Sequence, residues 1–339
     1  MGIVKYFVFV FIFGVLVLPK AHGQYIPNSS QLFQFASGAN PAFTGAESYG
    51  DLKFGYRYQW AGFGEGAPKF VNIAYSGRLK QPVDLVTHAP RMSNATELNS
   101  NAFIPARKRT IHGLGGNFFH ESYGLVVRMG GAVNYGFHYP ISNTFRLSLG
   151  VAAAIENIKP DYTKIQLGQE AQPDPFVEHL ISSGSSHTDV SLRGGLLLYS
   201  RNFYFGFSYL PIMTQVIQNS DVAFSDAFYR GTVQLGAAFD LGPGVVLKPS
   251  VWGLLQMDNK VTIDYGVKAY IQDKLWLGVT YRDVKSSVAL IGFNVNQLFG
   301  AAYSYEMSMG GMKKFNDGSH ELVLSFKFNN FKRQGSAIW

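Results

Sequence analysis

Two adjacent pairs, His120-Glu121 and His320-Glu321, combine the residue types that zinc-assisted hydrolysis or proton transfer uses. A zinc peptidase needs His-Glu-x-x-His on one face of a helix, and neither pair has the second histidine. If the pairs lie on strands, neighbouring side chains point to opposite faces and cannot act together. Gly113-Leu114-Gly115-Gly116 has the glycine density of a phosphate loop but no following Lys-Ser/Thr. In a strand it reads as a place where another backbone comes close. Ser182-Ser183-Gly184-Ser185-Ser186 lacks the Gly-x-Ser-x-Gly elbow. With no cysteine in the chain, thiolate chemistry, disulfides and a lipidated Cys anchor are excluded. The expectation is a protein that is not an enzyme and holds no cofactor or metal.

The remaining polar chemistry is charge, and its placement depends on the elements that carry it. Only 15% of the 339 residues are charged, against about 25% in an ordinary soluble domain. Aromatics make up another 15%, and there are 37 glycines, a composition suited to strands and tight turns. The net charge of +7 is spread along the chain, the densest basic run being Arg107-Lys108-Arg109, so nucleic acid is not an expected partner.

Residues 1–23 have the form of a secretory signal: Lys5, an apolar stretch over 6–18, then Ala21-His22-Gly23. The stretch is short for a membrane anchor, and Pro19-Lys20 interrupts it. Cleavage is expected between Gly23 and Gln24, leaving 27 basic and 22 acidic residues and a net charge of +5.

From residue 51 onward, segments of alternating character recur. In 52–60, Leu52, Phe54, Tyr56, Tyr58 and Trp60 form one face and Lys53, Gly55, Arg57 and Gln59 the other; 145–156, 229–240, 261–271, 275–282 and 320–328 repeat the pattern. A soluble sandwich alternates too, but its strands are shorter and its outer face carries the charges. Strands of about nine residues or more with an apolar outer set and aromatics near their ends match a transmembrane antiparallel β-barrel. Fourteen strands are expected, at 51–60, 69–80, 109–120, 123–139, 143–158, 188–200, 202–217, 228–240, 244–257, 260–271, 274–284, 287–296, 297–308 and 319–329. The even count puts both termini on the periplasmic side. The fold class is all-β.

The domain plan is a signal peptide (1–23), a plug or rim segment (24–50), the outer-membrane barrel (51–329) and a periplasmic tail (330–339). In the plug segment, Ser30 is expected to cap a short helix through Phe35 and Asn40-Pro41 to make a turn. Leu32, Phe33, Phe35 and Phe43 imply that it packs against something. The lumen is expected to hold Lys53, Arg57, Arg128, Arg146, Arg193, Arg230, Lys248, Lys268, Arg282 and Lys327 with Glu156, Asp240, Asp264, Glu306 and Glu321. These could form an ion-pair lattice or line an anion-selective channel. Connections at 61–68, 159–187, 218–227 and 309–318 are expected to face outward; the hairpin from Gln59-Trp60 to Pro68 and the 159–187 loop with Pro173 and Pro175 are the expected partner contacts, with Asn40, Pro41, Phe43 and Arg57 as plug or partner residues.

Particular strings then resemble the PorP/SprF family: Asn40-Pro41-Ala42-Phe43-Thr44-Gly45; Tyr56-Arg57-Tyr58-Gln59-Trp60 with Gly62 and Gly66-Ala67-Pro68; Asn202-Phe203-Tyr204-Phe205-Gly206-Phe207-Ser208; Leu247-Lys248-Pro249-Ser250; Leu275-Trp276-Leu277-Gly278; Tyr281-Arg282; and Gly318-Ser319-His320-Glu321-Leu322. Each string alone is weak, but their order covers nearly the whole mature chain. The resemblance implies an integral outer-membrane protein of the Bacteroidetes type IX secretion and gliding machinery. Such a protein is either a core component near the periplasmic ring or the partner of one secreted cell-surface adhesin, whose C-terminal sorting domain would be the ligand. The tail after residue 329 departs from the family pattern.

Overall fold

The structure, a computed structural model, describes residues 29–64, 66–79, 110–161, 186–218, 229–256, 261–272, 274–283, 285–296, 298–309, 313 and 316–328. The signal segment, the 81–108 connection, the greater part of 159–187 with Pro173 and Pro175, and the tail lie outside these residues.

Alternation becomes a closed antiparallel barrel. Its strands are β1 (Gly50–Tyr58), β2 (Lys69–Arg78), β3 (Ile111–Tyr123), β4 (Val126–Pro140), β5 (Arg146–Pro160), β6 (His187–Tyr199), β7 (Phe203–Gln218), β8 (Tyr229–Ala237), β9 (Phe239–Gly242), β10 (Val245–Gln256), β11 (Val261–Ile271), β12 (Leu275–Arg282), β13 (Ser286–Asn294), β14 (Phe299–Ser308) and β15 (Ser319–Phe328). Each pairs with its sequence neighbour, and β1 closes on β15 from Gly50 opposite Phe328 to Tyr58 opposite His320. β8 and β9 both pair with β10 and are two parts of one stave, so the fifteen segments make the expected fourteen staves. Closure leaves no sheet edge, which a hydrocarbon environment demands because unpaired backbone groups find no water there.

The pause at Ala238 leaves the register unchanged: Gly236 lies opposite Ser250 and Asp240 opposite Val246, so Asp240 keeps the inward phase expected of it, exposed near the end of the stave, where it accepts the Gly242 amide at 3.1 Å. The β3–β4 hairpin sits about three residues later in the sequence than expected, turning at Gly124-Leu125 with Gly124 at φ 52°.

The outer surface carries Phe54, Tyr56, Leu149, Val151, Phe205, Phe207, Val233, Leu235, Leu277, Val279, Leu322 and Phe326, all exposed. An apolar belt that continuous has lipid as its solvent. Inward positions hold the charges as expected: Lys53, Arg57, Arg128, Lys268, Arg282, Lys327, Glu156, Asp264, Glu306 and Glu321 are buried. Arg146, Arg193 and Lys248 are half-buried. The Arg230 side chain lies outside the described residues.

Residues 29–49 fill the lumen. They form a 3-10 turn (Leu32–Phe35), one helical turn (Ala36–Ala39) and a second 3-10 turn (Pro41–Phe43). The helical start is not capped by Ser30; Gln31 precedes it without a side-chain cap, and the Ser30 hydroxyl is taken by Glu306. Asn40 caps the Pro41 turn by accepting the Ala42 amide at 3.0 Å, as its type and place suggested.

The even strand count brings the first and last strands together at one side, as expected, β1 beginning at Gly50 and β15 ending at Phe328. Ser29, however, lies beside Glu321 and Arg282, near the opposite end of their strands. The segment therefore runs the height of the lumen, from the end that bears the strand termini to the end that bears the 59–68 and 309–318 connections.

Candidate functional site

The plug is an irregular backbone inside a membrane barrel, so each of its carbonyls must find a donor. Inward side chains supply them. Lys53 Nζ donates to the Gln34 carbonyl at 2.7 Å, Asn134 Nδ2 to Ser37 at 3.2 Å, Ser208 to Ala39 at 2.8 Å and Ser148 to Ala42 at 2.7 Å. His138 Nε2 donates to Thr44 at 2.8 Å, its Nδ1 facing the Tyr199 hydroxyl at 3.0 Å. Arg78 donates to Gly45 and Ala46 at 3.0 and 2.8 Å. Asn40 reaches the other way: its amide donates to the carbonyls of Leu196 and Phe207 and to Gln234 Oε1, at 3.1–3.3 Å.

The wall opposite these turns has no side chains to spare room for. A Cβ on Gly113 or Gly136 would collide with the Thr44 carbonyl, one on Gly150 with Ala42 N and Pro41 C, and one on Gly195 with Asn40 Oδ1. Four strands thus present bare backbone to the Asn40–Gly45 stretch, which explains Gly113 in the glycine run at 113–116. Around this track, aromatic rings seat the plug. Phe43 packs on Tyr204 and Trp252, at 5.9 and 6.4 Å between centroids, and Phe33 packs edge-on to Trp276 at 5.7 Å. Phe35 lies over Gly55.

At the far end the plug joins a buried ion cluster. Arg57 on β1 pairs with Glu306 on β14 at 3.1 Å and Glu321 on β15 at 3.6 Å. Arg282 on β12 pairs with Glu306 at 3.3 Å and with Asp264 at 3.2 Å. Ser29 and Ser30 enter this lattice: their hydroxyls donate to Glu321 and Glu306 at 2.6 Å, the Ser30 amide to Glu321 at 2.6 Å, and Arg282 holds the Ser29 carbonyl at 2.6 Å. A second cluster lies across the lumen, where Glu156 takes Arg128 at 3.1 Å and also Arg193, and Arg128 reaches Glu121 at 3.4 Å. Glu306 and Glu321 face arginines and accept serine hydroxyls on their remaining lone pairs, the conditions under which buried ions are tolerated, while Asp264 Oδ1 has no hydrogen bond among the described residues.

The predicted residues therefore divide. Asn40, Pro41 and Phe43 are plug residues, all buried. Arg57 and Gln59 are turned into the lumen and bonded to each other at 3.4 Å, so neither forms an exposed rim surface. Pro68 lies at the base of the hairpin, its carbonyl accepting the Gln59 amide at 2.9 Å. Trp60 remains at the rim, in the left-handed region at φ 55°, edge-on to Phe63 at 5.9 Å. Phe63 is 48% exposed. This rim is ordered by the neighbouring connection: the Asp317 amide donates to the Ala61 carbonyl and the Ala61 amide to the Gly318 carbonyl, both at 2.7 Å, and Tyr305 donates to the Asp317 carbonyl at 2.9 Å. Neither His–Glu pair is a joint site. Glu121 and Glu321 are buried in the lumen, whereas His120 and His320 stand on the other face, His320 bonded to Tyr303 at 2.6 Å. Among the described residues no cluster suits a metal ion.

Sequence reasoning missed the partners that hold the plug: Ser148, Ser208, Gln234, His138, Trp252, and the glycines at 136, 150 and 195. A signal was present, since each falls on the inward phase of its strand where bulky residues would otherwise fill a lumen.

Solved structures similar to this chain are outer-membrane barrels. The Acinetobacter baumannii outer membrane protein Omp33 has a TM-score of 0.44 at 11% identity, covering 84% of this chain and all of that one. The Pseudomonas putida toluene transporter TodX has a TM-score of 0.46 at 9% identity, covering 87% and 94%. A Pseudomonas aeruginosa FadL homologue has 0.44 at 12%, covering 91% and 95%. No curated protein matches the chain. The family model described as type IX secretion system membrane protein PorP/SprF matches residues 21–326. With that match spanning nearly the whole sequence, and a closed barrel of the predicted strand count beneath it, this chain belongs to the PorP/SprF family of type IX secretion outer-membrane proteins.

Proposed function

We propose that this protein is a non-enzymatic, plugged outer-membrane scaffold. It binds a secreted cell-surface adhesin through the adhesin's C-terminal sorting domain and supports its export and attachment, working with other type IX secretion components. The observation that supports this reading most is the lumen. Residues 29–49 occupy it, their carbonyls bonded to the wall and their amino-terminal end locked into a buried ion cluster. A barrel filled in this way offers its rims, not its bore, to a partner. The Trp60–Phe63 hairpin, stiffened by the backbone bonds of its Ala61 with Asp317 and Gly318, is the surface of choice, because aromatic residues on a rigid frame dominate binding energy.

Affinity purification of the tagged chain from native membranes, followed by identification of co-purifying proteins, tests the proposal. Recovery of a large secreted protein carrying a sorting domain is the expected result; recovery of neither such a protein nor any secretion component refutes it. The competing reading, a passive solute channel, predicts steady conductance of the intact chain in a planar bilayer, whereas the plugged scaffold predicts none.

A further inference from the structure

β7 outruns the wall beside it. Its ladder with β8 ends at Tyr209 opposite Gly231, whereas its ladder with β6 goes on to Gln218 opposite Thr188. The two ladders part at an irregularity. Residues 210–212 stand against Arg193 alone, and Pro211 among them has no N–H to give to a neighbour. Beyond it, at the end of the barrel that bears the 59–68 connection, one edge of β7 has no strand beside it among the described residues.

Exposure follows the same line. A strand in a closed wall buries alternate residues, yet Ile212, Met213, Thr214, Gln215, Val216 and Ile217 are exposed in succession. Met213 and Ile217 are 67% and 65% exposed. Val216 stands opposite Asp189 on the lumen face and is still 46% exposed. The backbone groups of such an edge are a template on which a further strand pairs, and apolar side chains on both faces of β7 add contacts for the side chains of that strand.

Next to this edge lies an acid with no counter-ion. Asp189 faces Glu156 directly across the β5–β6 ladder, and like charges so opposed are destabilising. Glu156 takes both Arg128 and Arg193, whereas Asp189, half-buried, makes no hydrogen bond or ion pair among the described residues. A strand added to β7 would lie two strands from β6, about 10 Å away. An extended lysine or arginine side chain spans that distance over Val216, and a short amine does not.

We infer that the 212–218 stretch of β7 is a docking edge for an extended segment of another polypeptide, apolar at alternate positions and carrying one lysine or arginine that Asp189 receives. The edge lies six staves round from β1 and its Trp60–Phe63 hairpin, so it is a second surface, and it stands whichever protein supplies the segment.

Fluorescence anisotropy of the full chain in detergent tests this with a labelled octapeptide that alternates valine and threonine and has a central lysine in place of one threonine. Three analogues accompany it: acetyl-lysine for the lysine, diaminopropionate for the lysine, and the lysine peptide with every backbone amide methylated. The lysine peptide is expected to bind, and its methylated form to bind at least about tenfold more weakly. Acetyl-lysine and diaminopropionate should each cost about fivefold, the first by losing the charge and the second by losing the reach. Asp189→Asn should weaken the lysine peptide about fivefold and leave the acetyl-lysine peptide unchanged. Val216→Lys, which supplies Asp189 with an amine of its own, should weaken the lysine peptide about tenfold. Both variants should keep the heat-modifiable gel mobility of a folded barrel, and Asp189→Asn, relieved of the opposed acid, should unfold no more easily than the parent. No binding of the lysine peptide, equal binding of its methylated form, or a loss on Asp189→Asn that the acetyl-lysine peptide shares overturns the proposal. An edge already filled by residues of this chain or by a second copy gives the first of these results.

Discussion

Gly150→Ala adds one methyl group to the barrel wall, yet the structure makes it a test of the whole plug. The new Cβ would coincide with Ala42 N and Pro41 C. Those are backbone atoms, so no rotamer change relieves the clash, and trimming Ala42 to glycine does not either. The plug must move away from β5. It is held there by Ser148 on the Ala42 carbonyl at 2.7 Å and by the Asn40 amide on three acceptors. Overpacking a filled interior costs about 1–3 kcal/mol, and losing the Ser148 bond adds about 0.5–1.5 kcal/mol. The expected destabilisation is about 2–4 kcal/mol, read from urea unfolding of the chain in detergent micelles. Gly38→Ala is the control, since its Cβ would approach no atom closer than 3.7 Å and it lies in the same plug; it should change stability by less than about 0.5 kcal/mol. In a chain lacking residues 29–47, Gly150→Ala should be silent, because nothing then occupies that space. If Gly150→Ala matches Gly38→Ala in the intact chain, or still destabilises the chain without its plug, the glycine track is not what seats the segment.

Further outcomes follow from the same contacts. Asn40→Asp replaces an amide that donates to two carbonyls with a group that cannot, and it should destabilise by more than Asn40→Ala, for which about 2–3 kcal/mol is expected in the same unfolding measurement. Glu306→Ala leaves Arg57 and Arg282 facing an empty centre and should cost about 3–5 kcal/mol, whereas replacing Arg57 and Glu306 together by apolar residues of similar volume should recover much of it; a double variant no better than the worse single one refutes the ion-cluster reading. Removing residues 29–47 should turn a silent barrel into a conducting one in planar bilayers. Trp60→Ala with Phe63→Ala should weaken adhesin capture about 30-fold, as loss of about 2 kcal/mol implies, without shifting the unfolding midpoint; unchanged capture removes the rim from the binding surface.

The barrel was legible because lipid imposes a strict rule on strands. With apolar side chains required outside, Lys53, Arg57, Glu306 and Glu321 could enter only the lumen, and period two then placed their neighbours. The rule is weaker at the turns: no pattern within 109–139 placed the β3–β4 hairpin at Gly124-Leu125 rather than a few residues earlier. The plug was legible only as a need. Phe33, Phe35 and Phe43 required burial, and Asn40-Pro41 announced a turn, but an irregular segment has no period from which to read its path. Its path is written instead on the wall, in the glycines and serines at inward positions of β3–β7. Those residues are ordinary strand fillers until the segment that lies on them is known.

The position of Ser29 ties the plug to barrel closure. Its grip comes from Glu321 on β15 and Arg282 on β12, and that of Ser30 from Glu306 on β14 and Arg57 on β1. β1 and β15 are the first and last strands, and they meet only when the sheet closes. Before closure Arg57 is separated from Glu306 and Glu321 by the entire sheet, so three of the charges in this lattice have no partners across the seam. Residues 29–30 lie at the end of the lumen opposite Gly50, where β1 begins, so the lattice that grips them is complete only in the closed barrel. The long-range pairing that makes closure slow is stabilised by the same serines and carboxylates that fill the lumen, and a barrel closed without its plug would seal Glu306 and Glu321 inside with the Ser29 and Ser30 donors missing.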